Sequence, residues 1–579
     1  MPIHKLLSIC AAGCLLLANC KQADDKPKNI QKNNPGEQQW WKEAVVYQIY
    51  PRSFKDSDGD GIGDLKGITS ELDYIKSLGV NTVWLNPVYS SPNDDNGYDV
   101  SDYRNIMKDF GTIQDFDALL KGMHSRGIKL VMDLVVNHSS DEHEWFKQSK
   151  SSRDNPYRNY YHWWNEEQGK PAYRYSLFDI NHDAWRYDSL TRSYYLHYFS
   201  RKQPDLNWEN PKLRKEIYDI MRFWADKGID GFRLDAFQFA AKDTTFPAFP
   251  KHFEKNFNQY YGVQGNLHGY LQEMNKEVLS KYNVMSVAEG SGNTLEDAHN
   301  MVDADRHELN MAYAFEGVSI AQPNGYSLLH FKDVFTKWDS AFAQKGWLSI
   351  FLANHDQARL VSRFGNDNPQ YREVSSKMLT TFLMSMRGTP YYYNGDELGM
   401  TNAGFTKIED YKDMPTLNEY KHLKQTGGDI PAFLKRQQFE CRDNGRTPFQ
   451  WDNTANAGFT KGAPWLKVNA NYTAINKAAQ EKDPNSCLNY FRKMVKLRND
   501  NKVLVYGKYT LLDKANPDVY AYTRETGGTK MLVLLNFKNK PATANTGINL
   551  SKAKLLISNY AKAGGTTLQP YEAAVYQLN

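Results

Sequence analysis

Cysteine is scarce in this chain, and most of it lies at one end. Five cysteines occur in 579 residues, and Cys10, Cys14 and Cys20 fall within the first 20 positions. Only Cys441 and Cys487 remain, so at most one disulfide could form in the rest of the chain. An oxidising compartment would permit that pair, but the sequence does not set the distance between the two thiols.

Excess charge of either sign is also missing. Lys and Arg number 71 and Asp and Glu 67, which leaves a formal charge of +4, with no block of five like charges. A nucleic-acid-binding protein of this size usually carries a basic surplus, so the composition argues against a nucleic-acid partner. With 41% hydrophobic residues the chain is globular rather than disordered. Aromatic residues make up 13%, which suits a core and also a sugar-stacking surface.

Long hydrophobic runs are absent, since no stretch approaches the roughly 18 apolar residues of a membrane span. The run from Leu6 to Ala18 has 13 residues, a length typical of a signal-peptide core. It ends at Asn19-Cys20 before a polar stretch, which resembles the lipobox of bacterial lipoproteins. Residues 1–19 are therefore predicted to be a lipoprotein signal peptide, with Cys20 carrying the lipid. The alternatives are cleavage before Cys14 or an ordinary secretory signal.

Residues 20–38 consist mainly of Lys, Asn, Gln, Asp and Pro and have almost no apolar side chain. Such a segment cannot bury enough surface to fold, so we predict a flexible tether. The chain is then an exported bacterial lipoprotein of the outer membrane, on its periplasmic face or on the cell surface. Its contact with the membrane would be made only through the lipid anchor.

From Trp40 onwards, short apolar runs alternate with longer helix-like segments. This alternation predicts parallel βα units, and eight of them close into a (β/α)₈ barrel. An open doubly wound sheet is the alternative, but no glycine-rich phosphate turn follows the first run. The predicted strands are Val45–Tyr50, Thr82–Leu85, Lys129–Val136, Gly231–Asp235, Val284–Glu289, Leu309–Phe315, Leu348–Leu352 and Pro390–Tyr393. The predicted helices include Ile68–Leu78, Ile113–Arg126, Pro211–Lys227 and Leu267–Lys281.

The spacing of these units predicts the domain boundaries. Residues 138–210 are rich in Tyr, Trp, Asn and Asp and separate the third strand from the fourth, which indicates an inserted subdomain. The barrel would then comprise residues 39–137 and 211–501. Residues 502–579 contain short strand-like runs with Gly, Asn and Asp-rich turns, which predicts a C-terminal antiparallel β-sandwich.

Carboxylates follow several of the predicted strands, at the end of a barrel where active sites lie. They are Asp235, Glu289 and Asp356. Arg233 shares a strand face with Asp235 and would keep it ionised, whereas the apolar neighbours of Glu289 would raise its pKa. A charged and a protonated carboxyl together are what glycosidic cleavage requires. Capping of the following helices is the alternative for any one of them.

The residues around these carboxylates make the resemblance specific. The chain resembles the α-amylase family of retaining glycoside hydrolases, glycoside hydrolase family 13, and within it the oligo-1,6-glucosidase and α-glucosidase branch. Matching blocks occur in the family order from about Trp40 to the C-terminus. They are Asp133–His138, Gln203–Asn207, Gly231–Asp235, Glu289, Asn354–Asp356 and Cys441–Trp451.

The resemblance implies a role for each site residue. Asp235 would be the nucleophile, Glu289 the acid/base and Asp356 the stabiliser of the transition state. His138 and His355 would bind the same sugar, and Tyr98 would stack under its ring. A pair formed by Asp99 and Arg442 would close the pocket behind the terminal glucose, so that only a chain end could enter.

Residues 56–64 place carboxylates at every second position at their start, with glycines for tight turning. Hard cations such as Ca²⁺ prefer oxygen ligands of this kind. The loop is not an EF-hand, because Gly67 stands where that motif requires Glu. It resembles the structural Ca²⁺ or Mg²⁺ loop of this branch, and a metal-free polar turn is the alternative. The implied ligands are Asp56, Asp58, Asp60, Asp64 and the carbonyl of Ile62.

The expected activity is release of glucose from the non-reducing ends of short α-glucans. In this branch a small residue after the nucleophile, here Ala236, goes with acceptance of α-1,4 bonds, so α-1,4 and α-1,6 cleavage both stay open. The chain also resembles isomaltulose and trehalulose synthases, but Phe315–Asn324 lacks the arginines of their product-directing loop. A non-catalytic binding or ancillary lipoprotein is the third hypothesis. No organic cofactor is expected, and the oligomeric state cannot be read from the sequence.

Overall fold

The computed structural model describes residues 38–578. The predicted signal peptide 1–19, Cys20 and all but the last residue of the predicted tether lie outside the described residues. Within residues 38–578, no helix is both long enough and apolar enough to cross a membrane.

Eight parallel strands form the centre of the fold. They are β1 (Val46–Ile49), β2 (Thr82–Leu85), β3 (Lys129–Val135), β4 (Gly231–Asp235), β5 (Met285–Ala288), β6 (Met311–Ala312), β7 (Ser349–Ile350) and β8 (Thr389–Tyr393). From β1 to β6 each strand pairs with the next in the chain, β1 also pairs with β8, and β8 pairs with β7. A parallel bridge from Ala312 to Leu348 joins β6 to the start of β7 and closes the ring. The predicted barrel is confirmed.

The runs predicted for β6 and β7 are longer than the strands found. Only two residues belong to each of these strands. Asn310, just before β6, uses its side-chain oxygen to accept the backbone N–H of Ser286 on β5. The strands β2 and β4 have the predicted bounds.

Helices surround the strands in sequence order. The helix Pro211–Lys227 illustrates how its sequence sets its ends: Asn210 caps its N-terminus, and Gly228 ends it in the left-handed region at φ 101°. Its buried face includes Trp224, and it delivers the chain to β4. The other helices are Leu65–Ser70, Leu72–Ser77, Ile113–Ser125, Glu144–Ser151, Phe257–Tyr261, Leu267–Glu277, Leu295–Val302, Leu328–Ala341, Leu360–Phe364, Arg372–Ser385, Met414–Thr426, Ile430–Glu440, Asp443–Arg446, Lys477–Lys482, Cys487–Asp500 and Lys502–Tyr506.

Two smaller sheets lie in the loops that follow β3 and β2. The first is a three-stranded antiparallel sheet of Trp163–Asn165, Trp185–Asp188 and Ser193–Leu196. The second pairs Tyr89–Ser90 with Asp102–Ile106 in the loop after β2. Both stand on the side of the barrel where the strands end, so they can form walls around that opening.

The C-terminal part is antiparallel, as predicted. A five-stranded sheet contains β9 (Lys508–Leu512), β10 (Val519–Thr526), β11 (Thr529–Asn536), β13 (Lys554–Ser558) and β15 (Ala573–Leu578). The short strands β12 (Ala542–Thr543) and β14 (Thr567–Leu568) pair separately. Arg524 on β10 is buried and donates to the carbonyl oxygens of Ser385 and Leu504, which ties this sheet to the barrel helices.

Candidate active site

The carboxyl ends of the barrel strands bring the predicted acids together. Asp235 is the last residue of β4, Glu289 follows β5, and Asp356 lies in the loop after β7. Because the strands are parallel, these ends meet at one face of the barrel. They lie around a small pocket lined by Asp95, Tyr98, His138, Phe178, Phe199, Asp235, Ala236, Glu289, Asp356 and Arg442.

Arg233 forms the floor beneath two of these acids. Its guanidinium is fully buried, and Nη1 lies 2.6 Å from Asp235 Oδ1. Nη2 of the same group lies 2.7 Å from Glu289 Oε1. Nη1 also lies 2.8 Å from Oδ1 of Asp133, the first residue of the block Asp133–His138. One arginine therefore neutralises one of three neighbouring acids.

This shortage of positive charge controls the protonation of the group. Burial raises the pKa of Asp235 well above its usual range, Arg233 opposes the shift, and the charges of Glu289 and Asp133 add to it. Burial likewise raises the pKa of Asp133 to about 6. The arginine predicted to keep Asp235 ionised is in contact with it, but its effect is outweighed by burial. Asp133 and Asp235 therefore hold a proton at higher pH than exposed carboxyls would.

Asp356 lies in the opposite electrostatic setting. Its Oδ1 accepts hydrogen bonds from Arg442 Nη1 at 3.1 Å and from Arg446 Nη2 at 2.8 Å. Burial alone would raise the pKa of Asp356, but the positive charges of Arg442 and Arg446 hold it well below its usual range. Asp356 therefore stays charged at pH values at which Asp133 and Asp235 can carry a proton.

The predicted pair of Asp99 and Arg442 is wrong. The buried carboxylate of Asp99 accepts hydrogen bonds from Ser91 Oγ and from the backbone N–H groups of Asp94 and Asp95. Arg442 instead contacts Asp95, with Nη2 at 3.0 Å from its Oδ1. The physical reason is that the turn folds back over Asp99, so that the Asp99 carboxyl group accepts hydrogen bonds from the backbone N–H groups of the turn. Asp95 lines the pocket in its place.

The two predicted sugar-binding histidines are buried and uncharged. Burial lowers the pKa of His138 to about 3, and it also lowers the pKa of His355 well below its usual value. His138 lines the pocket, and its Nε2 lies 3.0 Å from the carbonyl oxygen of Tyr98. The ring of His355 stacks on that of Tyr98, with centroids 5.2 Å apart and an angle of 8°.

A hydrogen-bonded series connects His355 to the Arg233 group. Nε2 of His355 lies 2.6 Å from the hydroxyl of Tyr98, which in turn donates to Oδ2 of Asp133 at 2.9 Å. Because the Tyr98 proton goes to Asp133, its oxygen accepts from His355, which fixes the His355 proton on Nε2. Gln48 Nε2 lies 2.8 Å from the other ring nitrogen. These contacts hold Tyr98 rigidly at the pocket wall.

Comparisons with known proteins decide the family. Residues 48–507 match the model of the α-amylase catalytic domain, and residues 509–575 match that of the maltogenic amylase C-terminal domain. The chain belongs to the α-amylase family. It is 50% identical to an oligo-1,6-glucosidase of Parageobacillus thermoglucosidasius, over 94% of this chain and 99% of that protein. A Bacillus cereus oligo-1,6-glucosidase is 48% identical, over 94% of this chain and 100% of that protein.

A solved structure in the α-amylase family shares the fold closely. The isomaltulose synthase of Klebsiella sp. LX3 superposes with a TM-score of 0.90 at 43% identity, covering 94% of this chain and 100% of that one. The sequence-based resemblance and the expected glycoside hydrolase class are therefore confirmed. The predicted domain boundaries and the individual residue roles stay predictions.

The structure of this α-amylase family member adds pocket residues that sequence reasoning missed. Phe178 and Phe199 line the pocket and belong to the aromatic-rich segment after β3. In that segment the sequence pattern does not distinguish an aromatic residue of the pocket from one of the core. Arg446 lies four positions after Arg442 in the block Cys441–Trp451, so helical spacing could have paired them on one face. Both arginines also contact Oδ1 of Asp413, at 2.6 Å from Arg442 Nε and 3.5 Å from Arg446 Nη1.

The predicted metal loop has three of its four carboxylates grouped. Oxygen atoms of Asp56, Asp58 and Asp64 all lie within 4.8 Å of one another. Asp60 is outside this group, and its Oδ1 accepts the backbone N–H of Ile62 at 2.8 Å. Gly61, at φ 95°, makes the tight turn possible, because a Cβ there would lie 1.8 Å from the carbonyl oxygen of Ala463. A set of hard oxygen donors in one tight loop fits Ca²⁺ or Mg²⁺.

Proposed function

We propose that this protein is a retaining, exo-acting α-glucosidase that releases glucose from the non-reducing ends of short α-glucans, with α-1,4 or α-1,6 linkages. The arrangement of charged residues around the pocket carries the proposal, and it has two features. Two carboxyls share the guanidinium of Arg233 at one side of a small pocket, and the pair of Asp95 and Arg442 closes another side. The first feature supports the chemistry, and the second supports the choice of a chain end.

In the first step Asp235 attacks the anomeric carbon while Glu289 gives its proton to the departing glycosidic oxygen. In the second step Glu289 takes a proton from water, whose oxygen displaces Asp235 and regenerates both acids. A retaining mechanism needs carboxyls about 5–5.5 Å apart, and an inverting one needs about 6.5–9.5 Å. Contacts of 2.6 Å and 2.7 Å to two nitrogens of one guanidinium support the closer arrangement.

Asp356 would bind hydroxyl groups of the same sugar and stabilise the positive charge that develops at the anomeric carbon. Its permanent negative charge, held by Arg442 and Arg446, suits that task. Asp235 and Asp356 thus stand in different electrostatic settings although both are buried aspartates near the same pocket.

The test is the rate of glucose release by two variants, Asp235→Asn and Glu289→Gln. Each should lower kcat/KM for maltose and isomaltose by at least ~10³-fold, since the chemistry of one step is lost. Asp226→Asn, a change of the same type on an exposed helix position, is the control and should leave the rate unchanged. Initial product should be α-glucose by NMR. Equal rates for Asp235→Asn and Asp226→Asn would refute the assignment.

Isomerisation of sucrose is the second candidate, because the solved isomaltulose synthase shares this fold at a TM-score of 0.90. That reaction would use the same covalent intermediate and pass glucose to fructose instead of water. The segment Phe315–Asn324 contains no arginine, which favours hydrolysis. Incubation with sucrose separates the two: glucose and fructose are expected, and isomaltulose or trehalulose as the main product would favour the isomerase.

Two further proposals concern the metal and the location. Asp56, Asp58 and Asp64, with Asp60 and the Ile62 carbonyl, would hold a structural Ca²⁺ or Mg²⁺ that takes no part in the reaction. Cys20 would carry a lipid that anchors the enzyme to the outer membrane. Metabolic labelling with a fatty acid should mark the wild type and not Cys20→Ala, and protease treatment of intact cells would tell the cell surface from the periplasmic face.

A further inference from the structure

The residue after the predicted nucleophile has an unusual backbone conformation. Ala236 lies at φ 45° and ψ 21°, in the left-handed region that residues other than glycine rarely adopt. It is 5% exposed and lines the pocket. The neighbouring β4 is regular, so the turn occurs abruptly between Asp235 and the 3₁₀ turn Phe237–Phe239. Such conformations persist where the surrounding structure enforces them, often at functional sites.

This turn directs a backbone donor at the predicted acid/base. The N–H of Ala236 donates to Glu289 Oε2 at 2.8 Å. The other carboxyl oxygen, Oε1, forms an ion pair with Arg233 Nη2 at 2.7 Å. The backbone N–H of Glu289 itself donates to the carbonyl oxygen of Leu234 on β4. Both oxygens and the backbone of Glu289 are thus fixed by the strand that carries Asp235.

We propose that Ala236 is a positioning residue for the acid/base: its left-handed conformation aims the backbone N–H at Glu289 Oε2 and sets the orientation and acidity of that carboxyl. The inference rests on the proposed function, because it takes Glu289 to be the acid. Oε1 faces the positive charge of Arg233, so the transferable proton resides on Oε2. The N–H occupies one lone-pair direction of Oε2, and the proton is left to point into the pocket.

The proposal has two measurable consequences. A hydrogen bond donated to a carboxylate favours its charged form, so its loss should raise the pKa of the acid in the free enzyme. Loss of this hydrogen bond should also lower kcat/KM most for substrates whose leaving group needs a proton. A sugar alkoxide needs one, whereas fluoride leaves from α-glucosyl fluoride as a stable anion.

The experiment replaces Ala236 by lactic acid, introduced by nonsense suppression, which exchanges only the N–H for an ester oxygen. The alkaline limb of kcat/KM against pH should move up by about one unit. At the pH optimum, kcat/KM should fall about tenfold or more for maltose and less than about threefold for α-glucosyl fluoride. Ala236→Gly keeps the N–H and tolerates the left-handed region, so it should keep the wild-type limb.

The matched control is the same exchange at Ala240, whose N–H donates to the carbonyl oxygen of Phe237 in the following turn. If the Ala236 ester behaves like the Ala240 ester in both the pH limb and the ratio of the two substrates, the inference is wrong. Loss of activity in Glu289→Gln would show that the proposed function still holds in that case. Retained activity in Glu289→Gln would refute the proposed function first.

Discussion

The closing of the pocket by Asp95 yields the sharpest prediction, because a second aspartate four residues later serves as its control. Asp95→Asn removes a charge that lies 3.0 Å from Arg442 Nη2 and 3.3 Å from Gln203 Nε2. Asp99→Asn changes a buried carboxyl group whose hydrogen bonds come from its own turn and from Ser91. Both acids are at most 3% exposed, so burial does not distinguish them.

The size of the effect follows from the partners that remain. Removing one member of a buried ion pair typically costs about 3–5 kcal/mol, because the other charge is left alone. Arg442 keeps Asp356 at 3.1 Å and Asp413 at 2.6 Å, so the loss of stability in Asp95→Asn should be about 1–2 kcal/mol. A hydrogen bond from a sugar hydroxyl to a charged acid contributes about 1.5–3 kcal/mol. That corresponds to a fall in kcat/KM of roughly 10- to 150-fold.

Initial rates on maltose and isomaltose, with thermal melting to check folding, measure both quantities. Asp99→Asn should lose stability, because the amide nitrogen would replace one carboxyl oxygen and face a backbone donor, while the folded enzyme keeps kcat/KM within about threefold. Product analysis on maltohexaose adds a second readout, since Asp95→Asn should begin to release maltose as well as glucose. A larger loss of kcat/KM in Asp99→Asn than in Asp95→Asn would refute the reasoning.

Three other predictions concern stability. Chelation of Ca²⁺ and Mg²⁺ should lower Tm in the wild type and not in Asp58→Ala, and re-addition of Ca²⁺ should restore only the wild type. Burial raises the pKa of Asp396 to about 7, so the stability this residue contributes is present below about pH 4 and lost as pH rises through about 7. From pH 5 to pH 8 the unfolding free energy should fall by roughly 2–3 kcal/mol more in the wild type than in Asp396→Asn, measured by urea titration. Cys441 and Cys487 are free and buried, so a thiol reagent should label them only after unfolding, and a reductant should leave Tm unchanged.

The barrel could be predicted from the sequence because it depends on patterns that are local and repeated. Strands such as Thr82–Leu85 are continuous apolar runs, which is what a strand buried on both faces requires. The helix Pro211–Lys227 carries its own signals at both ends, in Asn210 and Gly228. Where these signals are weak, as in the two-residue strands β6 and β7, the predicted bounds are too long.

The acids at the strand ends were also predictable, because a parallel barrel brings every strand end to one face whatever the loops do. The position of Asp235 follows from the register of β4 alone, and the position of Glu289 follows from that of β5. The protonation of Asp235 was not predictable in the same way. It depends on Asp133 sharing Arg233, and that contact joins residues 100 positions apart.

Asp95 and Asp99 mark the point where local reasoning stops. Both flank the same turn and both are buried, and neither hydropathy nor spacing favours one of them. The choice is made by the backbone of the turn: Asn96 and Gly97 both adopt positive φ, at 49° and 98°, which folds the chain back so that Asp99 accepts the N–H groups of Asp94 and Asp95. The acid whose oxygens are already used by its own loop cannot serve a ligand, and the acid before the turn is left to meet Arg442. A pocket residue is therefore decided as much by which carboxylate the loop leaves available as by which carboxylate the motif contains.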